Sequence, residues 1–138
     1  RTGVVLSEKG GALKKMLPPF KMGGGGILGD GKQYMSWISL DDMVQAIQFI
    51  IENTELQGPV NLVSPNAVTN KVFTKELGKA LNRPTIMPLP AFAARIIFGE
   101  MADALLLSST RVSPKKLIDS GYRFRHTEVQ SAFKDILK

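Results

Sequence analysis

Val4, Val5 and Leu6 follow Gly3 as an unbroken apolar run, the pattern of a strand buried on both faces. The run opens within three residues of Arg1, so the chain is expected to begin inside an element of a longer polypeptide. Leu13, Met16, Leu17 and Phe20 then recur at helical spacing and predict a helix over 11–20, which Pro18-Pro19 is expected to kink or end early. A flexible glycine-rich loop follows from Gly23 to Gly31. Lys32 to Ile38 reads as a short extended segment around Trp37.

The strongest helical pattern begins near Asp41. Ser39, with Asp42 three residues on, forms a capping arrangement, and Met43, Val44, Ile47, Ile50 and Ile51 make one apolar face that is expected to pack on something flat. Gly58-Pro59 punctuates the chain, and Val60 to Val63 reads as a strand ended by Ser64-Pro65-Asn66. A second amphipathic helix is expected next, capped by Thr69 or Asn70. It carries Phe73, Leu77, Ala80 and Leu81 inward and is stopped by Asn82-Arg83-Pro84. Thr85 to Met87 is a candidate strand, and residues 91–107 read as helical with a break at Gly99. Ser113-Pro114 starts a helix that ends at Gly121. The last helix has Thr127 as cap, Gln130 as its box partner, and Val129, Ala132, Phe133, Ile136 and Leu137 on one face. Few short strands among several helices place the chain in the α/β class.

Composition narrows the chemistry. At 138 residues, with 43% hydrophobic and 22% charged residues, the chain has the makings of one folded domain. The absence of cysteine removes thiolate nucleophiles, disulfides and sulfur-ligated metals, and fits a reducing, cytoplasmic setting. His126 is the single histidine, which argues against a histidine-built metal site or a Ser-His-Asp triad and makes it most simply a polar residue at a helix entry. The apolar stretch from Phe92 to Leu107 is interrupted by Arg95, Glu100 and Asp103, so no membrane span is expected. The net charge of +6 invites an acidic partner. Yet the basic residues are scattered and not interleaved with aromatics, which argues against nucleic acid.

Three constellations carry candidate chemistry. Gly24-x-Gly26-x-x-Gly29 matches a dinucleotide-loop pattern literally, but a working loop needs a strand before it and a helix N-terminus after it, so a surface or pocket-edge loop is expected. Adjacent Asp41 and Asp42 point about 100° apart on a helix, so they are read as first-turn acids that complement the helix dipole. Lys71, Lys75 and Lys79 are read as the solvated back of a helix. Trp37 fits a core anchor or a pocket wall equally well.

The order of several blocks resembles the C-terminal half of extended short-chain dehydrogenases/reductases. The blocks are Arg1-Thr2-Gly3-Val4-Val5-Leu6, Gly29-Asp30-Gly31-Lys32-Gln33, Met35-Ser36-Trp37-Ile38-Ser39-Leu40-Asp41-Asp42 and Gly58-Pro59-Val60-Asn61-Leu62. Pro88-Leu89-Pro90, Gly99-Glu100-Met101 and Arg111-Val112-Ser113-Pro114 bring it closer to the atypical epimerase-like subfamily often labelled cell-division inhibitor. The resemblance implies a Rossmann-like parent whose N-terminal domain holds NAD or NADP and a Tyr-x-x-x-Lys pair. This chain, residues 1–138, is then the substrate-side region, with no cofactor-binding or catalytic residue of its own and a small-molecule substrate. Neither Tyr34 nor Tyr122 is followed by the lysine of such a pair. Leu6, Ser7, Met35 and Trp37 are the expected pocket-lining residues. Nucleotide-sugar epimerases carry an arginine and a histidine where Met35 and Ser39 stand, so a diphosphate clamp is expected to be missing. The alternative is a stand-alone basic module that binds an acidic protein or nucleic acid.

Overall fold

The computed structural model describes residues 3–22, 26–27, 31–53, 58–85, 96 and 112–137. Val4–Leu6 forms strand β1, Gly11–Lys21 helix α1, Tyr34–Met35 strand β2, Trp37–Ser39 strand β3 and Leu40–Glu52 helix α2. Val68–Thr69 forms strand β4 and Asn70–Leu81 helix α3. Lys115–Asp119 is helix α4 and Val129–Ile136 is helix α5. β1 runs parallel to β3, with Val4 opposite Trp37 and Leu6 opposite Ser39. A parallel pair cannot be joined by a tight turn, and α1, packed on β1, lies in the crossover. β2 and β4 form a separate antiparallel ladder with Tyr34 opposite Thr69. The fold is the expected α/β arrangement of short strands and helices.

One core joins these pieces. Leu13, Met16, Leu17 and Phe20 of α1 meet Phe73 and Leu77 of α3, and Val129, Ala132 and Phe133 of α5, over Val4, Leu6, Met35 and Trp37. Phe73 and Phe133 pack edge to face, with centroids 5.1 Å apart. Gly3 lets β1 reach its neighbours: a Cβ there would lie 2.7 Å from the Ser36 carbonyl oxygen.

Caps and stops follow the residues that announced them. Ser39 Oγ accepts the Asp42 amide at the head of α2, and Thr69 Oγ1 accepts the Val72 amide at the head of α3. Asn82 takes the left-handed conformation (φ 55°) that ends α3, with the Arg83 amide donating back to the Gly78 carbonyl.

Elsewhere the fold departs from expectation. Helix α1 runs through Pro18-Pro19 to Lys21, neither ended nor shortened by them. Burial of Leu13, Met16, Leu17 and Phe20 on one stripe outweighs the hydrogen bonds that two prolines cannot donate. Pro18 is exposed, so Pro18→Ala is expected to restore a backbone bond without disturbing the core and to raise stability by about 1–2 kcal/mol. Urea unfolding measures it; a destabilised variant would show that the proline is suited to its place.

Val60 to Val63 is not a regular strand. It is pinned at two points, where Gly3 donates to the Leu62 carbonyl and Ser64 donates to the Trp37 carbonyl. Ala80 is exposed, and the inward arc of α3 runs instead through Asn70, Phe73, Thr74, Leu77 and Gly78. The residue capping α5 is Glu128, with no side-chain cap bond, in place of Thr127. Asn66 secures that entry from outside, donating to the Thr127 carbonyl and the Glu128 carboxylate. The expected strand Thr85 to Met87 lies beyond Thr85 outside the described residues, as does the expected helix over 91–107 apart from Ile96.

Candidate functional site

Because Ser39 both ends β3 and caps α2, strand passes to helix with no loop between them. The carboxyl ends of β1 and β3 therefore lie beside the amino end of α2. A cleft of about 280 Å³ opens there. Leu6, Ser7, Glu8 and Lys9 form the wall that continues β1, and Ser39, Leu40 and Asp41 form the wall at the head of α2. Arg125, His126 and Asp135 close the cleft from the C-terminal part of the chain. In open α/β sheets this crevice, beyond the carboxyl ends of parallel strands, is where ligands bind.

Behind the cleft lies a buried polar cluster centred on Asp42, which is 1% exposed. One carboxylate oxygen, Oδ1, accepts the Tyr122 hydroxyl at 2.9 Å and the Arg125 amide at 2.8 Å. The other, Oδ2, accepts the His126 amide at 2.9 Å and lies 3.2 Å from Ser39 Oγ. A buried carboxylate is tolerated only when several donors meet it, and here they come from a segment some 80 residues downstream. Asp41, next in sequence, turns outward and pairs with the Arg125 guanidinium at 2.9 Å. The two acids therefore serve different ends: Asp42 ties down the segment 122–126, and Asp41 holds a cation at the cleft mouth.

His126 is 2% exposed and sits between Ser39 and Asp135, with Nδ1 2.8 Å from Ser39 Oγ and Nε2 2.8 Å from Asp135 Oδ2. The single histidine thus does stand in a Ser-His-Asp chain, which sequence reasoning did not anticipate. Its chemistry differs from that of a hydrolytic triad. Ser39 is 1% exposed, and its hydroxyl is engaged with the α2 amide and with Asp42, so it is not presented to an incoming acyl group. The chain works as a brace that fixes α5 and Asp135 against the head of α2.

The Tyr122 hydroxyl is held well above the usual tyrosine range, first by burial and then by its hydrogen bond to the Asp42 carboxylate and the charge beside it. For an acid whose folded pKa is raised, the neutral form is the one the fold favours. Its contribution is fully present below the unfolded value, near pH 10, and is lost as pH rises toward the folded one. As pH rises above about 10 the wild-type chain is expected to lose stability through this residue, along a slope that solvent screening at a partly exposed hydroxyl keeps shallow. Tyr122→Phe is expected to flatten the slope; equal slopes in the two proteins, measured by urea unfolding, would contradict the assignment.

Of the expected pocket residues, Ser7 lines the cleft at a partly exposed position, and Leu6 borders it from the core at 0% exposure. Met35 and Trp37 lie in the core at 1% and 0% exposure, and the Trp37 indole donates to the Asn66 carbonyl at 2.8 Å. Lys71, Lys75 and Lys79 are exposed, as read. The Gly24-x-Gly26-x-x-Gly29 run falls mostly outside the described residues. The chain after it enters β2 at Tyr34 and not a helix. Among the described residues no cluster of histidine, aspartate and glutamate is arranged to hold a metal, and no helix is long and apolar enough to cross a membrane.

Comparison with known proteins places this geometry. A family model described as a domain of unknown function, DUF1731, matches residues 89–136. The chain is 52% identical over 132 residues to the epimerase family protein Mb2239 of Mycobacterium bovis, a match that covers 96% of this chain and 44% of that protein. It superposes on human epimerase family protein SDR39U1 (isoform 2), solved with NADPH, with a TM-score of 0.91 and 35% identity. That match covers 99% of this chain and 46% of the human one. A nucleoside-diphosphate sugar epimerase of Corynebacterium glutamicum matches with a TM-score of 0.71 and 32% identity over 99% of this chain and 25% of that chain. The chain spans about half the length of the curated relatives it matches, and its counterpart in SDR39U1 is the C-terminal part.

Proposed function

Because the chain belongs to the epimerase family, as the counterpart of the C-terminal part of its members, we propose that residues 1–138 are the substrate-side region of an NAD(P)-dependent epimerase or oxidoreductase. The cofactor is held by a domain in the other part of the polypeptide. The observation that carries this reading is the polar cleft at the carboxyl ends of β1 and β3, where an open α/β sheet binds its ligands.

The residues described do not fit the dinucleotide itself. The glycine run leads into β2, so it lacks the helix N-terminus that faces a pyrophosphate, and no Tyr-x-x-x-Lys pair is present. This region therefore binds and orients a small polar substrate, and leaves cofactor and redox chemistry to the partner domain. Ser7 contacts the substrate, and Leu6, Met35 and Trp37, all buried, support the cleft from beneath. Arg125 is already engaged by Asp41, and Met35 and Ser39 stand where nucleotide-sugar epimerases carry an arginine and a histidine. That combination favours a substrate smaller and less anionic than a nucleotide sugar. A chain without cysteine suits the cytoplasm.

Calorimetric titration of the full-length gene product and of the 138-residue chain with NADP(H) and NAD is the test. The full-length protein is expected to bind one of them, and the shorter chain alone neither. A full-length protein that binds neither would overturn the reading.

A further inference from the structure

Basic residues that lie scattered along the sequence are gathered by the fold onto one face. Lys71, Lys75 and Lys79 are exposed along α3, and four residues of helix set each about 6 Å along the axis from the next. Just past the helix end, Arg83 Nε donates to the Lys21 carbonyl at 2.9 Å, which draws the end of α1 and its exposed Lys21 alongside. On the other flank α5 packs against α3 and brings up the exposed Lys134. These six cations account for the chain's net charge of +6, since the remaining 12 basic residues are matched by 12 acidic ones.

Two shallow grooves, each of about 420 Å³, flank Lys79. Lys75, Arg83, Pro84 and Thr85 line one, and Ala80, Phe133, Lys134 and Leu137 line the other. Among the described residues Glu76 is the one acid in either groove, and its side chain, 15% exposed, lies 3.6 Å from the Lys79 ammonium. The second groove therefore has a cationic rim, at Lys79 and Lys134, around an apolar floor of exposed Ala80 and partly buried Leu137. Like charges four residues apart weaken a helix, a cost that an acidic partner removes.

We propose that this face docks an extended acidic segment of a partner protein, in which carboxylates alternate with small aliphatic side chains. Alternate residues of an extended strand recur on one side about every 6.6 Å, close to the step along the lysine row. One side of the segment then presents carboxylates to Lys71, Lys75 and Lys79, and the other reaches the apolar floor between α3 and α5. A phosphate backbone could meet the charge, but it has no aliphatic group for that floor. Phe133, the one aromatic residue lining the grooves, is buried and offers no platform for a base. The face shares no residue with the cleft at the strand ends, so the inference stands apart from the proposed function.

Fluorescence anisotropy of a short labelled peptide of alternating glutamate and alanine, titrated with the full-length protein, is the test. The peptide is expected to bind, with an affinity that falls as salt rises, and its glutamine-alanine counterpart is expected not to. Lys75→Glu combined with Lys79→Glu is expected to weaken binding at least roughly tenfold. Lys115→Glu combined with Arg123→Glu changes the net charge by the same amount at exposed positions on other elements, and a change of less than about twofold is expected. All four residues are exposed, and far-ultraviolet circular dichroism equal to wild type verifies that both variants fold. Equal weakening in the two variants would overturn the inference, because the peptide would then be drawn by net charge and not by this face. Absence of peptide binding would overturn it as well. So would tighter binding, through Lys75 and Lys79, of a single-stranded oligonucleotide or of phosphatidylglycerol vesicles, which would make the occupant a nucleic acid or a membrane.

Discussion

Replacing Asp42 by alanine is expected to lower the unfolding free energy by about 3–5 kcal/mol, a large share of what a domain of this size possesses. The carboxylate is 1% exposed and accepts hydrogen bonds from the Arg125 amide, the His126 amide and the Tyr122 hydroxyl. Alanine orphans the Arg125 and His126 amides at once and leaves the Tyr122 hydroxyl only its 3.1 Å bond to the backbone carbonyl of residue 42, and each buried donor left without a partner costs about 1–3 kcal/mol. Asp42→Asn separates charge from shape. Its carbonyl oxygen can still take Tyr122 and the Arg125 amide, but its NH2 then faces the His126 amide, donor against donor, and a loss of about 2 kcal/mol is expected. Asp41→Asn is the contrast: Asp41 is 59% exposed in its pair with Arg125, and a change within about 0.5 kcal/mol is expected. Urea unfolding followed by Trp37 fluorescence ranks the three. Similar losses at Asp41 and Asp42 would refute the division of labour between them.

Much of the frame that holds this cluster was legible in the sequence, because it rests on local rules. The buried strand at Val4 to Leu6, the Ser39 and Thr69 caps, the stop at Asn82 and the inward residues of α5 follow from apolar period and from residues that satisfy or end a helix. The site was less legible. An acid in the first turn of a helix already has a sufficient local explanation, so nothing in the sequence sets Asp42 apart from Asp41. What distinguishes it arrives from Tyr122, Arg125 and His126, too distant in sequence for any spacing rule. The signal available was the lone His126 beside a basic residue and two aromatics, and it pointed to no partner. Helix α2 shows the same limit from the other side. Periodicity finds where a helix is apolar, whereas burial depends on what lies against it, and here Asp42 and Ala46 are covered while Val44 and Ile51 are open. The proline pair in α1 misled for a related reason: the intrinsic penalty is local, and the packing that outweighs it is not.

Trp37→Ala is expected to match the loss at Asp42, at about 3–5 kcal/mol, by a different route. The indole is fully buried in the core cluster that gathers α1, α3 and α5 over β1, and its Nε1 donates to the Asn66 carbonyl at 2.8 Å. Removing it opens a cavity that neighbours from three helices cannot all collapse into, and it leaves that carbonyl unpaired. Trp37→Phe keeps most of the apolar contact but not the donor, so a loss of about 2 kcal/mol is expected. Because this is the chain's one tryptophan, unfolding of both variants is followed by far-ultraviolet circular dichroism. The consequence also reaches the cleft. Asn66, which the indole holds by its carbonyl, uses its side chain to fix Thr127 and Glu128 at the entry of α5, and α5 carries Asp135 to the cleft wall. Faster amide exchange at the start of α5 is therefore expected in Trp37→Ala than in a core variant of equal cost remote from Asn66, such as Leu13→Ala. Equal exchange in the two would confine Trp37 to a packing role and break its link to the cleft.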